Sequence, residues 1–197
     1  MSAVPCPATT CDDAIRADGY RVLARLFAAP PDAGLLGLLA AAPRAADDAL
    51  GSAWNVLCEQ AVRAGTGPEA VRCLGEEYNE LFFGVGEPRV MLYGSWYISG
   101  SLMAAPLARL RDDLALLGLV RAAGVQDPED HFAALLEVMA MLVDAGDATQ
   151  QDFFRRHLAS WYGSLCQRLE GEGSAFYRSV ARFARGFLDA EAETPTS

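Results

Sequence analysis

The chain has 197 residues, 52% hydrophobic and 21% charged, a composition that suits a globular domain with a real core and argues against intrinsic disorder. A formal net charge of −10 disfavours nucleic acid as a partner, because that binding depends on clustered positive charge. All 16 basic residues are arginine, which removes Schiff-base chemistry, a lysine base and the phosphate-gripping lysine of a P-loop.

The dominant period is helical. Ile15, Val22, Leu23, Leu26 and Phe27 form one stripe, predicting a first helix of about four turns ended by Pro30-Pro31. Asp32 can cap a second helix through Leu35, Leu36, Leu38 and Leu39, closed by Pro43. A third is expected from about Ala45 to Ala64, with Leu50, Trp54, Leu57 and Val62 inward and Gly65 as its stop. Pro68 suits a first helical residue, and Val71, Leu74, Tyr78, Leu81 and Phe82 carry the pattern to Gly84.

The next stretch, GVGEPRVMLYGSWYI, has no helical period and is predicted as a loop, yet it holds Met91, Leu92, Tyr93, Trp96, Tyr97 and Ile98. Long connections of this kind are often functional, although inward packing of the aromatics accounts for them equally well. Helical order returns at Leu107, Leu110, Leu114 and Leu117, ended by Gly118. A further helix opens near Asp127 and runs to Gly146; two more are expected over about 150–170 and 174–190. No segment alternates with period two, so the fold is read as an all-α, single-domain bundle of about eight to ten helices over 1–197, with 1–11 and 191–197 disordered.

No stretch reaches the roughly 20 apolar residues of a membrane-spanning helix, and MSAVPCPATTCDDAIRADG has neither the basic start nor the apolar core of a secretory signal. Five cysteines without a CxxC pair suggest neither a disulfide framework nor a zinc site, and fit a reducing cytoplasm. The two histidines lack metal-binding spacing.

In QDPEDHFAALLEVM, Asp127 can cap a helix, Pro128 can begin it, and Glu129 and Asp130 suit the positive end of its dipole. None of these rules asks for His131, which at that end of a helix is expected to be neutral. Glu137, seven residues after Asp130, places two carboxylates on one helical stripe. Between Arg121 and Arg155 there are seven acids and no base, a surface suited to an arginine-bearing peptide.

Three stretches in order carry a resemblance: Tyr78-x-x-Leu81-Phe82-x-Gly84, Tyr93-Gly94-Ser95-Trp96-Tyr97, and Asp127-Pro128-Glu129-Asp130-His131 followed by Leu136-Glu137. The chain resembles the TorD/DmsD/NarJ group of cytoplasmic chaperones for molybdenum enzymes over roughly residues 19–188. It departs from the group in opening the proline motif with Asp127 where Glu is usual.

The resemblance implies a chaperone, not an enzyme. Its partner would be a molybdopterin oxidoreductase catalytic subunit or its twin-arginine signal peptide, held until the cofactor is inserted and export is released. It also implies a monomer or a helix-swapped dimer; no cofactor is assigned, because the chain has no phosphate loop. Carried over by motif, Tyr78, Leu81, Phe82 and Gly84 would line the peptide groove and Ser95, Trp96 and Tyr97 its loop wall. Asp130, His131 and Glu137 would form its polar rim. Two other readings compete: a helical adaptor for another peptide, and a small hydrolase using Asp130 and His131 as an acid/base pair. Adjacent helical residues point about 100° apart, which is poor geometry for one proton.

Overall fold

The computed structural model describes residues 11–46, 48–84, 87–103, 105–121, 124 and 127–194. Among them are ten helices and no strand: α1 (Cys11–Ala28), α2 (Ala33–Ala41), α3 (Ala49–Ala64), α4 (Pro68–Phe82), α5 (Gly94–Ser99), α6 (Ala105–Leu116), α7 (Phe132–Asp144), α8 (Gln150–His157), α9 (Tyr162–Glu172) and α10 (Ala175–Glu193). The fold is all-α.

Boundaries follow local chemistry. Asp32 accepts from the Leu35 N–H at 2.6 Å and Asp48 from the Gly51 N–H at 2.7 Å, satisfying donors that an α-helix leaves unpaired at its start. Gly65, Gly118 and Gly146 take positive φ just past α3, α6 and α7, the stops expected from sequence. Gly84 does the same beyond α4 (φ 54°), and a Cβ there would lie 2.8 Å from the Glu87 carbonyl oxygen, so this turn needs glycine.

α7 is the central helix. Phe132, Ala133, Leu135, Leu136, Met139, Ala140, Leu142 and Val143 are all buried, which no one-sided amphipathic helix shows. It packs on α1 and α8, while α10 packs on α1, α3 and α9. Phe27 of α1 meets Phe132 edge-on at 4.8 Å, and Tyr20 meets Phe187 of α10 at the same distance. Gly19 permits that approach, since a Cβ would lie 2.6 Å from the Phe187 ring.

Several expectations are corrected. Ile15, placed on the inner stripe by its period, is 66% exposed; Ala17, Tyr20 and Ala24 fill that face. The span 150–170 is two helices. They break at Leu158–Trp161, where the Trp161 indole N–H donates to the His157 carbonyl at 2.6 Å and occupies an acceptor that continued helix would use. The predicted loop 84–98 ends in α5. The sequence ends order at 190, but α10 continues to Glu193. Glu191 is buried and takes two 2.7 Å bonds from Arg16 and one of 3.0 Å from the Tyr20 hydroxyl. The rest of the expected disorder, 1–10 and 195–197, lies outside the described residues. None of the helices among the described residues is long and apolar enough to cross a membrane.

Candidate functional site

The aromatic connection and the start of α7 are joined through their backbones. Phe132 N–H donates to the Leu92 carbonyl at 2.7 Å and Gly94 N–H to the Asp130 carbonyl at 3.0 Å, forming an isolated antiparallel bridge between Tyr93 and His131. Asp130 Oδ2 also accepts from the Ser95 N–H at 2.7 Å, linking positions 35 residues apart in sequence.

Local order differs from expectation at the DPEDH stretch. Asp127 does not cap α7 and Pro128 does not begin it. Residues 128–131 form a turn closed by the His131 N–H on the Pro128 carbonyl at 3.1 Å, and α7 starts at Phe132 with His131 as its N-cap. His131 Nδ1 accepts from the Ala133 N–H at 3.2 Å, the role an Asn or Ser oxygen usually plays. Asp127 instead accepts from the Tyr93 hydroxyl at 2.9 Å, and the Tyr93 ring stands edge-on to His131 at 5.2 Å. Since Asp130 lies outside α7, it shares no stripe with the exposed Glu137.

Behind this junction stands Trp161, 1% exposed. Tyr97 stacks on it at 5.5 Å and Phe132 meets it edge-on at 5.3 Å. A Cβ at Gly94 would lie 3.1 Å from the indole, so residue 94 can pass close to Trp161 because it has no side chain. The Tyr97 hydroxyl donates to the Met91 carbonyl at 3.0 Å, closing the connection on itself.

Burial lowers the His131 pKa, opposed by the nearby Asp127 and Asp130 charges, and the ring is neutral at pH 7 as Nδ1 acceptance requires. His157 is lowered for the same reason, opposed by its 2.7 Å bond to Asp113 Oδ2. Burial pulls the Asp113 carboxyl upward, but the His157 bond and the Arg156 guanidinium outweigh it and hold it below its ordinary value. For Tyr93, burial and the Asp127 bond push the phenol up.

On the α5 side of Asp130 opens a cavity of about 380 Å³. Its apolar lining is Ile98, Pro106, Leu110 and Leu135; Ser95, Asp130 and His157 are its buried polar residues, and Arg109, Asp112, Arg156 and Ser160 are exposed around it. Ser95 Oγ and Asp130 Oδ1 are closed to solvent and have no hydrogen-bond partner. The buried Gln151 amide is also unpartnered, but it does not line this cavity. α6 forms one wall and is held both by apolar packing, with Leu114 half-buried against the core, and by polar bridges. Only Leu107 and Leu110 among its residues are buried, whereas Asp113 pairs with Arg156 and His157 and Arg111 with Glu129 at 2.8 Å.

The residues singled out from sequence therefore separate. Ser95 and Asp130 meet at the cavity, His131 stands just behind it, and Trp96 is 38% exposed beside Ile98. Tyr97 braces the connection from within. Tyr78, Leu81 and Phe82 are core: the Tyr78 hydroxyl donates to the Phe27 carbonyl at 2.9 Å, and Phe82 packs on Phe27 and Tyr177. Gly84 shapes a turn, and Glu137 does not line the cavity. The acids between Arg121 and Arg155 are partly neutralised from elsewhere, Glu129 by Arg111 and Asp144 by Arg21. Asp130 and His131 serve separate backbone donors, so no acid/base pair is assembled between them. Sequence reasoning missed Ile98 as a lining residue and the Asp113, Arg156 and His157 cluster. No local pattern joins α6 to α8, and the second histidine was the only signal.

Residues 44–167, well over half the chain, match the family model for the nitrate reductase delta subunit. The chain belongs to the nitrate reductase delta subunit family. The matched span contains every residue of the cavity lining, Gly94 to Ser160, and the TorD/DmsD/NarJ resemblance of the three motifs holds. Among curated relatives, the delta-family chain is 25% identical over 129 residues to the chaperone protein TorD of Vibrio cholerae, covering 58% of this chain and 59% of that one. It is 30% identical over 109 residues to the probable Tat proofreading chaperone DmsD of Haemophilus influenzae, covering 54% of each. The chain thus spans a little over half the length of the curated relatives it matches. A crystal structure of an Archaeoglobus fulgidus protein assigned to redox enzyme maturation shares the fold, with a TM-score of 0.59 at 19% identity, covering 89% of this chain and 93% of that one.

Proposed function

We propose that this chain is a redox-enzyme maturation chaperone that works in the cytoplasm. It binds the twin-arginine signal peptide or N-terminal region of a molybdopterin oxidoreductase subunit, assists cofactor insertion and delays export. The observation that carries this reading is the stitching of the aromatic connection to the start of α7 beside an open cavity. Similarity to relatives named as chaperones supports it.

The chemistry agrees. Trp96, Ile98, Leu102 and Met103 are exposed on α5 and the turn after it, and clustered apolar surface of this kind suits the hydrophobic part of a signal segment. The bridge and the Asp130–Ser95 bond hold the binding surface on a rigid frame, so little ordering cost attends binding. No catalytic step is needed.

The test is titration of the full chain against a fluorescent signal peptide of a molybdopterin oxidoreductase, read by anisotropy. Saturable binding that Ile98→Asp weakens at least tenfold, while helical content stays unchanged, supports the proposal. Binding unaffected by Ile98→Asp, or no binding to any such peptide, overturns it.

A further inference from the structure

We propose that Arg109 is a built-in lid: from α6 it folds into the cavity between α5, α6 and α8, donates to Asp130 Oδ1 and Ser95 Oγ, and keeps the cavity shut while no other chain is bound. The shielding role rests on the peptide-binding reading above; the closure itself does not.

The first observation is a pair of buried acceptors. Ser95 Oγ and Asp130 Oδ1 have no hydrogen-bond partner among the described residues, and both side chains line the cavity, Ser95 being 0% and Asp130 4% exposed. Asp130 Oδ2 is already taken by the Ser95 N–H. A buried oxygen left without a donor is costly, and a carboxylate oxygen more so than a hydroxyl. The chain gains by turning a donor toward this pair, and it gains most from a cationic one.

The second is an uncommitted donor on the same lining. Arg109 is exposed, and among the described residues it makes no hydrogen bond or ion pair. The other guanidinium of the lining, Arg156, is held by both Asp113 oxygens at 2.9 and 3.0 Å, and His157 occupies Asp113 Oδ2 as well at 2.7 Å. Asp113 is therefore engaged, which leaves Arg109 as the free cation. Asp112, three residues along α6, competes for it, but both are exposed and a surface pair at that spacing gains little against water. Asp130 Oδ1 is closed to solvent, so a bond there replaces nothing.

The third is the path between them. Ile98, Pro106, Leu110 and Leu135 give the lining apolar surface on which an arginine stem and the flat face of its head can lie. Guanidinium is weakly hydrated for a cation and its planar fork serves two acceptors at once, so its burial here costs less than that of an ammonium group. α6 and the start of α7 both face the cavity of about 380 Å³. A small shift of α6 toward Asp130 thus moves into open space rather than into packed core, and only Leu107 and Leu110 of α6 are buried. This is the mobility a lid requires.

The test uses the full chain labelled with ¹⁵N-arginine, with no peptide present, and reads hydrogen exchange at the Arg109 Nε–H, assigned by its loss in Arg109→Gln. Arg63, exposed on α3 and without an ion pair among the described residues, is the internal reference. The expected result is exchange about tenfold slower at Arg109 than at Arg63, restored to the Arg63 rate by Asp130→Asn. If Asp130→Asn fails to fold, Ser95→Ala serves instead and raises the Arg109 rate about threefold. Equal rates at Arg109 and Arg63 in the parent overturn the lid, as does slowed exchange that Asp112→Asn relieves and Asp130→Asn does not. Tenfold protection leaves the cavity open about one tenth of the time, so Arg109→Gln should bind a fluorescent signal peptide about tenfold more tightly than the parent. Affinity that stays level or falls overturns the shielding role. Failure here is distinct from failure of the chaperone reading. Peptide binding with unprotected Arg109 refutes the lid and leaves the chaperone standing, and protection relieved by Asp130→Asn without any peptide binding does the reverse.

Discussion

Gly94→Ala isolates the geometry on which the site depends, because two effects of opposite sign compete. Gly94 is the first residue of α5 and its φ is not positive. With open space around it, alanine would stabilise the chain by about 0.4–1 kcal/mol through lower unfolded-state entropy. The added Cβ, however, would lie 3.1–3.2 Å from three atoms of the Trp161 ring system, inside ordinary carbon contact distance. Trp161 has little room to retreat. Tyr97 stacks on it, Phe132 packs against it edge-on, and its indole N–H is bonded to the His157 carbonyl. Overpacking of a filled core costs about 1–3 kcal/mol, so the clash outweighs that gain and the net effect is destabilising by about 1 kcal/mol, a fall of about 2–4 °C in Tm for a domain of this size. Thermal unfolding followed by circular dichroism reads this directly. The same substitution in a Trp161→Leu background, which removes the clashing atoms, should cost nothing or stabilise. A Gly94→Ala variant at least as stable as the parent would refute the reasoning about this contact.

Other outcomes follow from the same contacts. His131→Ala should cost about 1 kcal/mol by removing the α7 cap, and His131→Asn should recover most of it in urea melts because Asn supplies a better capping oxygen. If Asn is no better than Ala, the cap is not what His131 contributes. Asp113→Ala should leave the core intact but loosen α6, giving faster tryptic cleavage at Arg109 and Arg111; an unchanged rate would show that α6 is held by something other than its polar bridges. Glu191→Ala should destabilise by about 2 kcal/mol, since it leaves the buried Tyr20 hydroxyl without its partner and removes two bonds from Arg16, which keeps Asp13 and Gln150, and a change under 1 kcal/mol would contradict that. For pH, burial lowers both histidine pKa values below the ordinary 6.5. The unfolded chain therefore binds more protons than the folded one as pH falls, and stability present above about 6.5 is lost on acidification toward pH 5. The urea midpoint should drop over that range, and less so in His157→Gln; a midpoint that rises would reverse the sign of the argument.

The helices were legible in sequence to the extent that one-sided periodicity reports burial. Asp32, Gly65, Gly118 and Gly146 marked their boundaries because caps and positive-φ stops are local chemistry. What failed was non-local. Tyr78, Leu81 and Phe82 have a helical spacing that is the same whether the stripe faces a groove or a core, and only the position of Phe27 and Tyr177 decides for the core. DPEDH looked like a helix start by composition, but the Tyr93 hydroxyl claims Asp127 and the Ser95 N–H claims Asp130, leaving the cap to His131. Ser95 and Asp130 were both visible as candidates, and their meeting was not, since it is made by backbone pairing between segments with no shared pattern. The α6–α8 cluster was invisible for the same reason.

The proposed function requires that α5 and the start of α7 border one cleft that receives another chain. Photo-crosslinking tests it most directly: p-benzoylphenylalanine is placed at Ile98, on the cavity, or at Val62, an exposed apolar residue of α3, in the full chain co-produced with a molybdopterin oxidoreductase subunit bearing its signal peptide. Crosslinks to that peptide from position 98 and not from position 62 are the expected result. Crosslinks from position 62 alone, or equally from both, would contradict the account.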